Sequence, residues 1–204
     1  MRLSLLLILL IIFSLLFIGC ATSVNEAMQP YEFDNFGADH SMITKPKIKI
    51  AVIPFRNASG IGGAGIRVSE SFVVQLLKIG RYEVIERTRI DQILNEQKFS
   101  QLNIVDQETA IKIGKIAGVD AVLIGTVTEY RDMWEGETPP EVGANVRLID
   151  IETGAILWAA SEHFRGDDAS VQLLVKRQER WKVVTDIDFL TTLLCKSMAS
   201  SMAL

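Results

Sequence analysis

Residues 47–53 read Lys-Ile-Lys-Ile-Ala-Val-Ile: polar and apolar positions alternate, then the run turns wholly apolar. That is the pattern of a strand that starts at solvent and ends inside a core, so this chain must build layers around a sheet. Pro54 ends the run, and a glycine-rich stretch leads to Gly65. Val68, Phe72, Leu76 and Ile79 then recur at helical spacing, and Gly80 stops the helix. Residues 82–86 form a second strand. Thr88 and Asp91 have the spacing of a capping box for a helix through Ile90, Ile93 and Leu94. Asp106 caps another helix, with Ala110, Ile113 and Ala117 facing inward and Gly118 at its end. Residues 120–127 are a buried strand continuing towards Tyr130. Residues 145–151 and 155–164 flank Glu152-Thr153-Gly154 and read as a β-hairpin. The polar residues 167–182 are compatible with a helix. In residues 187–202, Phe189, Leu190, Leu193, Leu194 and Met198 make an amphipathic one. The order β-α-β-α-α-β-β-β-α, without internal repeat, predicts an α/β fold: one sandwich domain of mixed β-sheet with packed helices.

Ahead of this domain stands a different kind of segment. Met1-Arg2 opens it, residues 5–18 are apolar except Ser14, and small Gly19 precedes Cys20. At about 1.5 Å per residue the apolar run spans roughly 20 Å, short of the roughly 30 Å of a bilayer core, which points to an export signal rather than a membrane span. An ending in Gly-Cys resembles the lipobox of bacterial lipoproteins, although Phe17 stands where those proteins usually carry Leu. The resemblance implies cleavage after Gly19, acylation of Cys20, and anchorage to lipid through that residue. The expected organisation is a signal peptide over 1–19, a lipidated N-terminus and flexible tether over 20–46, and a folded domain over 47–204. Ala21, where an Asp would retain a lipoprotein at the inner membrane, points to the outer membrane, with the domain facing the periplasm.

The chain has 21 Lys and Arg against 25 Asp and Glu, a net charge of −4. Loss of Arg2 with the signal makes the mature chain about −5. No basic block is present, so nucleic acid is not an expected partner. If Cys20 carries lipid, Cys195 has no disulfide partner, and its setting among Leu193, Leu194 and Met198 predicts a buried, inert thiol.

Chemistry-bearing patterns are few. Gly60-Ile61-Gly62-Gly63-Ala64-Gly65 satisfies G-x-G-x-x-G, and Glu86 follows 21 residues past Gly65. However, residues 55–59 separate the strand from the first glycine, whereas a dinucleotide fingerprint needs glycine in the tight turn itself. The glycines read instead as a mobile loop. His40 and His163 stand alone, which predicts no metal site. Ser69 and Ser71 lack the context of a nucleophile. Asp167-Asp168 and the pair Asp186 and Asp188 fit helix starts. No catalytic residue, cofactor or metal is expected, and the chain does not read as an enzyme. Trp158 belongs in a core. Met133 and Trp134, in an acidic stretch, are the candidate partner contacts.

Several segments together resemble the CsgG-like family of outer-membrane lipoproteins, the curli production assembly/transport components. They are Lys49-Ile50-Ala51-Val52-Ile53-Pro54-Phe55-Arg56-Asn57, Tyr82-Glu83-Val84-Ile85-Glu86-Arg87 with Ile93-Leu94-Asn95-Glu96-Gln97, Gly118-Val119-Asp120-Ala121-Val122-Leu123-Ile124-Gly125, and Val146-Arg147-Leu148-Ile149-Asp150-Ile151-Glu152-Thr153-Gly154-Ala155-Ile156-Leu157. The resemblance implies an α/β periplasmic domain beneath the outer membrane, able to form a homo-oligomeric ring. In the curli transporter, two inserted hairpins per subunit also build a barrel. Here only residues 131–141, with two prolines, are available for the first, against the roughly twenty residues a membrane hairpin needs. The second candidate, residues 161–185, is long enough but lacks alternation. The expectation is therefore a short family member without a self-made pore, accessory to secretion or assembly of envelope or extracellular material through protein partners. The alternative at the same address is a tethered activator of a peptidoglycan synthase, as in the LpoB lipoproteins.

Overall fold

The structure, a computed structural model, describes residues 36–39, 47–98, 105–133, 138–175 and 183–203. All of them belong to one compact unit spanning Phe33–Leu204. In chain order its elements are β1 (Phe36–Ala38), β2 (Ile48–Val52), β3 (Arg56–Asn57), α1 (Ala64–Ile79), β4 (Tyr82–Val84), α2 (Arg87–Glu96) and α3 (Gln107–Ala117). They continue with β5 (Ala121–Arg131), β6 (Glu141–Asp150), β7 (Ile156–Arg165), α4 (Ala169–Leu174), α5 (Ile187–Ser200) and a closing 3₁₀ turn (Ser201–Ala203). The fold is the α/β sandwich with a mixed sheet that the element order predicts.

Seven strands form one open sheet in the order β1-β7-β6-β5-β2-β4, with β3 also paired to β5. β2 lies parallel between β4 and β5, and β5, β6 and β7 form an antiparallel meander. β2 and β3 follow one line along β5: Val52 is opposite Leu123, and Arg56 is opposite Thr126. Pro54 cannot donate to the ladder, which explains the break between them.

Topology decides which face each helix covers. The crossover β2-α1-β4 moves outward along the sheet, and β4-α2-α3-β5 moves back across β2. Parallel crossovers are right-handed, so opposite directions put the helices on opposite faces. α1 and α5 cover one face over the larger core, which includes Phe72, Leu76, Leu123, Leu148, Trp158, Phe164 and Leu194. α2 and α3 cover the other over a smaller core of Ile53, Ile90, Ile113, Val122 and Ile149. The meander from β5 to β7 has no crossover helices of its own, and α5 returns to the first face. On the second face α3 reaches the near end of β6 at Ile149, and among the described residues no helix covers the rest of β6 or β7.

Local details both follow and depart from the sequence pattern. Asp106 accepts from the Thr109 amide at 2.8 Å and Asp186 from the Phe189 amide at 2.7 Å, as helix caps do. The capping box does not form. α2 starts at Arg87, and Asp91 instead takes a bidentate ion pair from Arg87 Nε at 2.9 and 3.0 Å. β6 starts at Glu141, four residues before the expected hairpin. Of residues 167–182, α4 takes Ala169–Leu174, and residues 176–182 lie outside the described residues. Phe36–Ala38, inside the segment read as tether, pairs antiparallel with β7 opposite Ala160, Ala159 and Trp158. Three residues with one partner carry too little pattern to be read as a strand from sequence.

The C-terminus is tied into the larger core. Tyr82 Oη donates to the Met202 carbonyl at 2.9 Å, and Trp158 Nε1 donates to Ser201 Oγ at 2.9 Å. Cys195 is fully buried as expected, its thiol facing the Val68 carbonyl at 3.6 Å, and burial pushes its pKa from 9.0 up to about 12. Above about pH 9 the unfolded chain gains a thiolate that the folded chain does not. Stability is thus intact below pH 9 and declines as pH rises towards 12, by about 1.4 kcal/mol per pH unit from this group. Burial raises Tyr82 and Tyr130 in the same direction. Urea unfolding from pH 8 to 11 should show a falling midpoint, and Cys195→Ala should flatten that fall. Equal slopes in the two proteins would remove the thiol as its cause.

Candidate interaction surface

The uncovered half-face of the sheet carries two registered rows of side chains. One row runs Arg56, Thr126, Asn145, Ser161 across β3, β5, β6 and β7. The next runs Ile124, Arg147, Ala159, Gly37 across β5, β6, β7 and β1. Strand alternation places them here, because Val146, Leu148 and Trp158, the intervening positions, point into the larger core. Ser161 Oγ donates to Asn145 Oδ1 at 2.5 Å, joining β7 to β6 in the first row.

Two hollows meet on this face. One, about 290 Å³, lies between the rows and the start of α3, with Arg56, Thr126, Asn145, Arg147, Asp106 and Gln107 among its walls. The other, about 450 Å³, is shallow and mainly apolar, has Gly37 and Ala159 in its floor, and shares Asn145 and Arg147 with the first. Arg56 and Arg147 are both exposed, and among the described residues neither has a hydrogen bond or an ion pair. Asp106 is occupied as the α3 cap, and the Thr109 amide holds its carboxyl below the usual range.

Further along the same strands, charges are matched. Glu141, mostly buried, pairs with Arg131 across the β5–β6 ladder, and His163 Nε2 lies 3.4 Å from its other oxygen. His163, solitary in sequence, is therefore beside a carboxylate in space. Arg165 clasps Asp167 at 2.8 and 2.9 Å. Asp188 takes a hydrogen bond from Tyr130 Oη at 3.2 Å and faces Arg67 at 3.7 Å. Of these aspartates only Asp186 acts as a side-chain helix cap; Asp168 accepts from the Arg165 amide instead. Among the described residues no group of three or more His, Cys, Asp or Glu could hold a metal ion, and no helix is long and apolar enough to cross a membrane.

Of the sequence-based candidates, Met133 lies just past β5 and is partly exposed, its amide bonded to Asp132 Oδ1 at 2.8 Å. Trp134 and Cys20 lie outside the described residues. The two arginines were not singled out from sequence. The signal was there: each stands at an outward position between inward apolar neighbours, Phe55 before Arg56 and Val146 and Leu148 around Arg147.

The glycine-rich stretch opens on its own hydrogen-bonded turn. Asn57 Nδ2 donates to the Ile61 carbonyl at 2.6 Å, and Asn57 Oδ1 accepts from the Ser59 amide at 3.1 Å and its hydroxyl at 2.7 Å. These bonds form a self-bonded Asx turn. Gly65 allows α1 to touch the strand: a Cβ there would sit 2.0 Å from the Phe55 carbonyl oxygen.

These features can be set beside known proteins. A sequence model of the family described as curli production assembly/transport component CsgG matches residues 35–175. The chain belongs to the CsgG family. The match begins at the edge of β1 and ends just after α4, so it takes in the whole sheet. The PelC dodecamer from Paraburkholderia phytofirmans superposes with a TM-score of 0.57 at 17% identity, covering 82% of this chain and 94% of that one. The lipoprotein GNA1162 from Neisseria meningitidis superposes at 0.50 with 26% identity, covering 62% of this chain and 90% of that one. No curated protein matches the sequence.

The Gly65 contact gives a direct check on how α1 is seated. Gly65→Ala should lose about 2 kcal/mol in urea unfolding, because the added methyl meets backbone that cannot swing aside. Gly62→Ala, where nothing lies within 4 Å and φ is not positive, should change stability little. Equal effects at the two positions would show that the helix start is free to shift.

Proposed function

We propose that this chain is a non-enzymatic lipoprotein of the outer membrane, held through acylated Cys20, whose periplasmic domain serves as an oligomeric accessory or scaffold. Its cargo or client is envelope or extracellular material in secretion or assembly. The observation that carries this reading is the CsgG family match over residues 35–175, on a domain preceded in sequence by Gly19-Cys20. GNA1162, the neighbour at 26% identity, is described as a lipoprotein, and PelC as a dodecamer, which supports anchorage and assembly as working expectations.

The strand connections support a domain that does not make its own pore. Only residues 132–140 join β5 to β6, fewer than one transmembrane hairpin requires. In the other place where the curli transporter carries a hairpin, α4 packs Val171 into the larger core.

The alternative, an activator reaching an enzyme of the inner membrane, asks for length. With β1 paired to β7, residues 21–35 are what separates Cys20 from the sheet, at most about 50 Å when fully extended and about 20 Å as a flexible coil. That keeps the domain near its anchor and favours the scaffold.

Cys20→Ser tests the anchorage. The wild-type protein should incorporate labelled palmitate and fractionate with the outer membrane, and the variant should do neither. Outer-membrane fractionation of a cleaved, unlabelled variant would overturn the reading. Light scattering on the full chain in detergent tests assembly, with a defined multiple of the protomer mass expected.

A further inference from the structure

We propose that the uncovered sheet face is the receiving half of a head-to-tail contact between copies of this chain. Its occupant is the acidic β5–β6 connection, residues 132–137, of the neighbouring copy. The inference rests on the oligomeric reading above and gives that assembly an interface.

Charge is matched unevenly within one sheet. At the connection end, β5 to β7 neutralise their charges internally, Arg131 and His163 both facing Glu141. In the middle of the same strands, Arg147 is opposite Ile124 and Ala159, and Arg56 is opposite Thr126. Neither guanidinium has an acid across the ladder, where an opposite-charge pair would add to the stability of the sheet face. Both arginines line one hollow of about 290 Å³ whose one carboxylate, Asp106, is engaged by the Thr109 amide as the α3 cap, and two guanidinium groups in one hollow favour entry of a further anion. Guanidinium forks with the Asn145 amide and Thr126 hydroxyl beside them suit carboxylate oxygens.

The second hollow states the other half of the requirement. It adjoins the first through Asn145 and Arg147, is mainly apolar, and has small residues in its floor. A suitable occupant thus carries carboxylates and large apolar side chains close together. Residues 132–137 read Asp-Met-Trp-Glu-Gly-Glu, three carboxylates around Met133 and Trp134 with no basic residue. Trp is the residue type most often dominant at such contacts, and it needs an apolar seat beside polar groups. The donor segment is at the end of β5 and β6 and the receiving rows are at their middle. The two patches differ, so the contact is heterologous, and such contacts close into rings when the rotation allows.

The test uses the full lipidated chain in detergent, followed by sedimentation velocity and light scattering. Arg147→Glu, and Arg56→Glu with it, should raise the dissociation constant between copies at least about tenfold, as loss of a desolvated charge pair does. Wild-type assembly should also weaken with added salt. Reversing the donor in the same chain, Glu135→Arg with Glu137→Arg, should restore assembly to the arginine variants. Unchanged circular dichroism will establish that the variants are folded, and Arg147→Gln provides a milder version with a smaller loss. If wild type assembles and the arginine variants assemble equally well, this interface is wrong while the oligomeric reading stands. Loss without rescue by the reversed donor overturns the choice of occupant. A wild-type chain that stays monomeric overturns the oligomeric reading, and the interface with it.

Discussion

Phe55 is the residue on which both halves of the fold turn. Its ring lies over Gly125 of β5, where any Cβ would sit 2.9 Å from ring carbons, and its carbonyl touches the start of α1 at Gly65. The same ring meets Phe72 of α1 edge-on at a centroid distance of 6.2 Å, and Phe72 in turn meets Trp158 of β7 at 6.1 Å. One aromatic chain thus links the break between β2 and β3, the first helix and the meander. Aromatic pairs at such distances add to the burial of large apolar surfaces, which is the main stabilising term in a core of this size. The two glycines are necessary partners of Phe55 rather than signs of a flexible or ligand-binding loop. That places the meaning of the G-x-G-x-x-G pattern in packing: its last glycine does the close-approach task that the same position performs in nucleotide-binding folds, with no nucleotide required for it.

With α1 and α5 together on one side, the sheet is unequally covered. The smaller core under α2 and α3 reaches from β2 to the near end of β6, with Ile149 its outermost strand residue there. Past it the sheet presents alternate residues to solvent, and their chemistry is mixed: a matched ion cluster around Glu141, then two unmatched arginines. A polar outer face is ordinary for an antiparallel meander. The unmatched charges are not, since the same strands neutralise others a few residues away.

Most of the architecture was legible in the sequence because burial is periodic. β2, β5, α1 and α3 each bury a contiguous stripe, and the stripe sets the period seen in the residues. What escaped notice lacks a stripe. β1 has three residues and β3 two, and both exist because a longer neighbour offers unpaired backbone groups. The start of β6 was missed for a related reason, since Gly143 and Ala144 lower its β propensity while the ladder to β5 continues across them. The capping box failed because α2 already starts at Arg87, whose Nε gives Asp91 a charged partner stronger than one backbone amide while its Nη1 pairs with Glu70. The interaction surface was illegible in another sense. Arg56 and Arg147 are far apart in the chain, and only the register through β5 brings them into one hollow.

The shape of the domain also bears on how it could work from a fixed point. Pairing β1 with β7 draws residues 36–38 into the sheet and leaves residues 21–35 as the link to Cys20. A short link raises the local concentration of domains held on one surface, because each is confined to a layer about as thick as the link is long. Confinement favours contacts between like domains that are individually modest. A face with unmatched arginines and a segment of clustered carboxylates on the same chain would associate weakly in bulk solution, where water and salt compete. On a membrane the same pair of patches would gain from proximity and from the common orientation that the proposed acyl anchor at Cys20 would set. The proposed anchor and the exposed face would act together, the first reducing the entropy that the second must overcome to assemble.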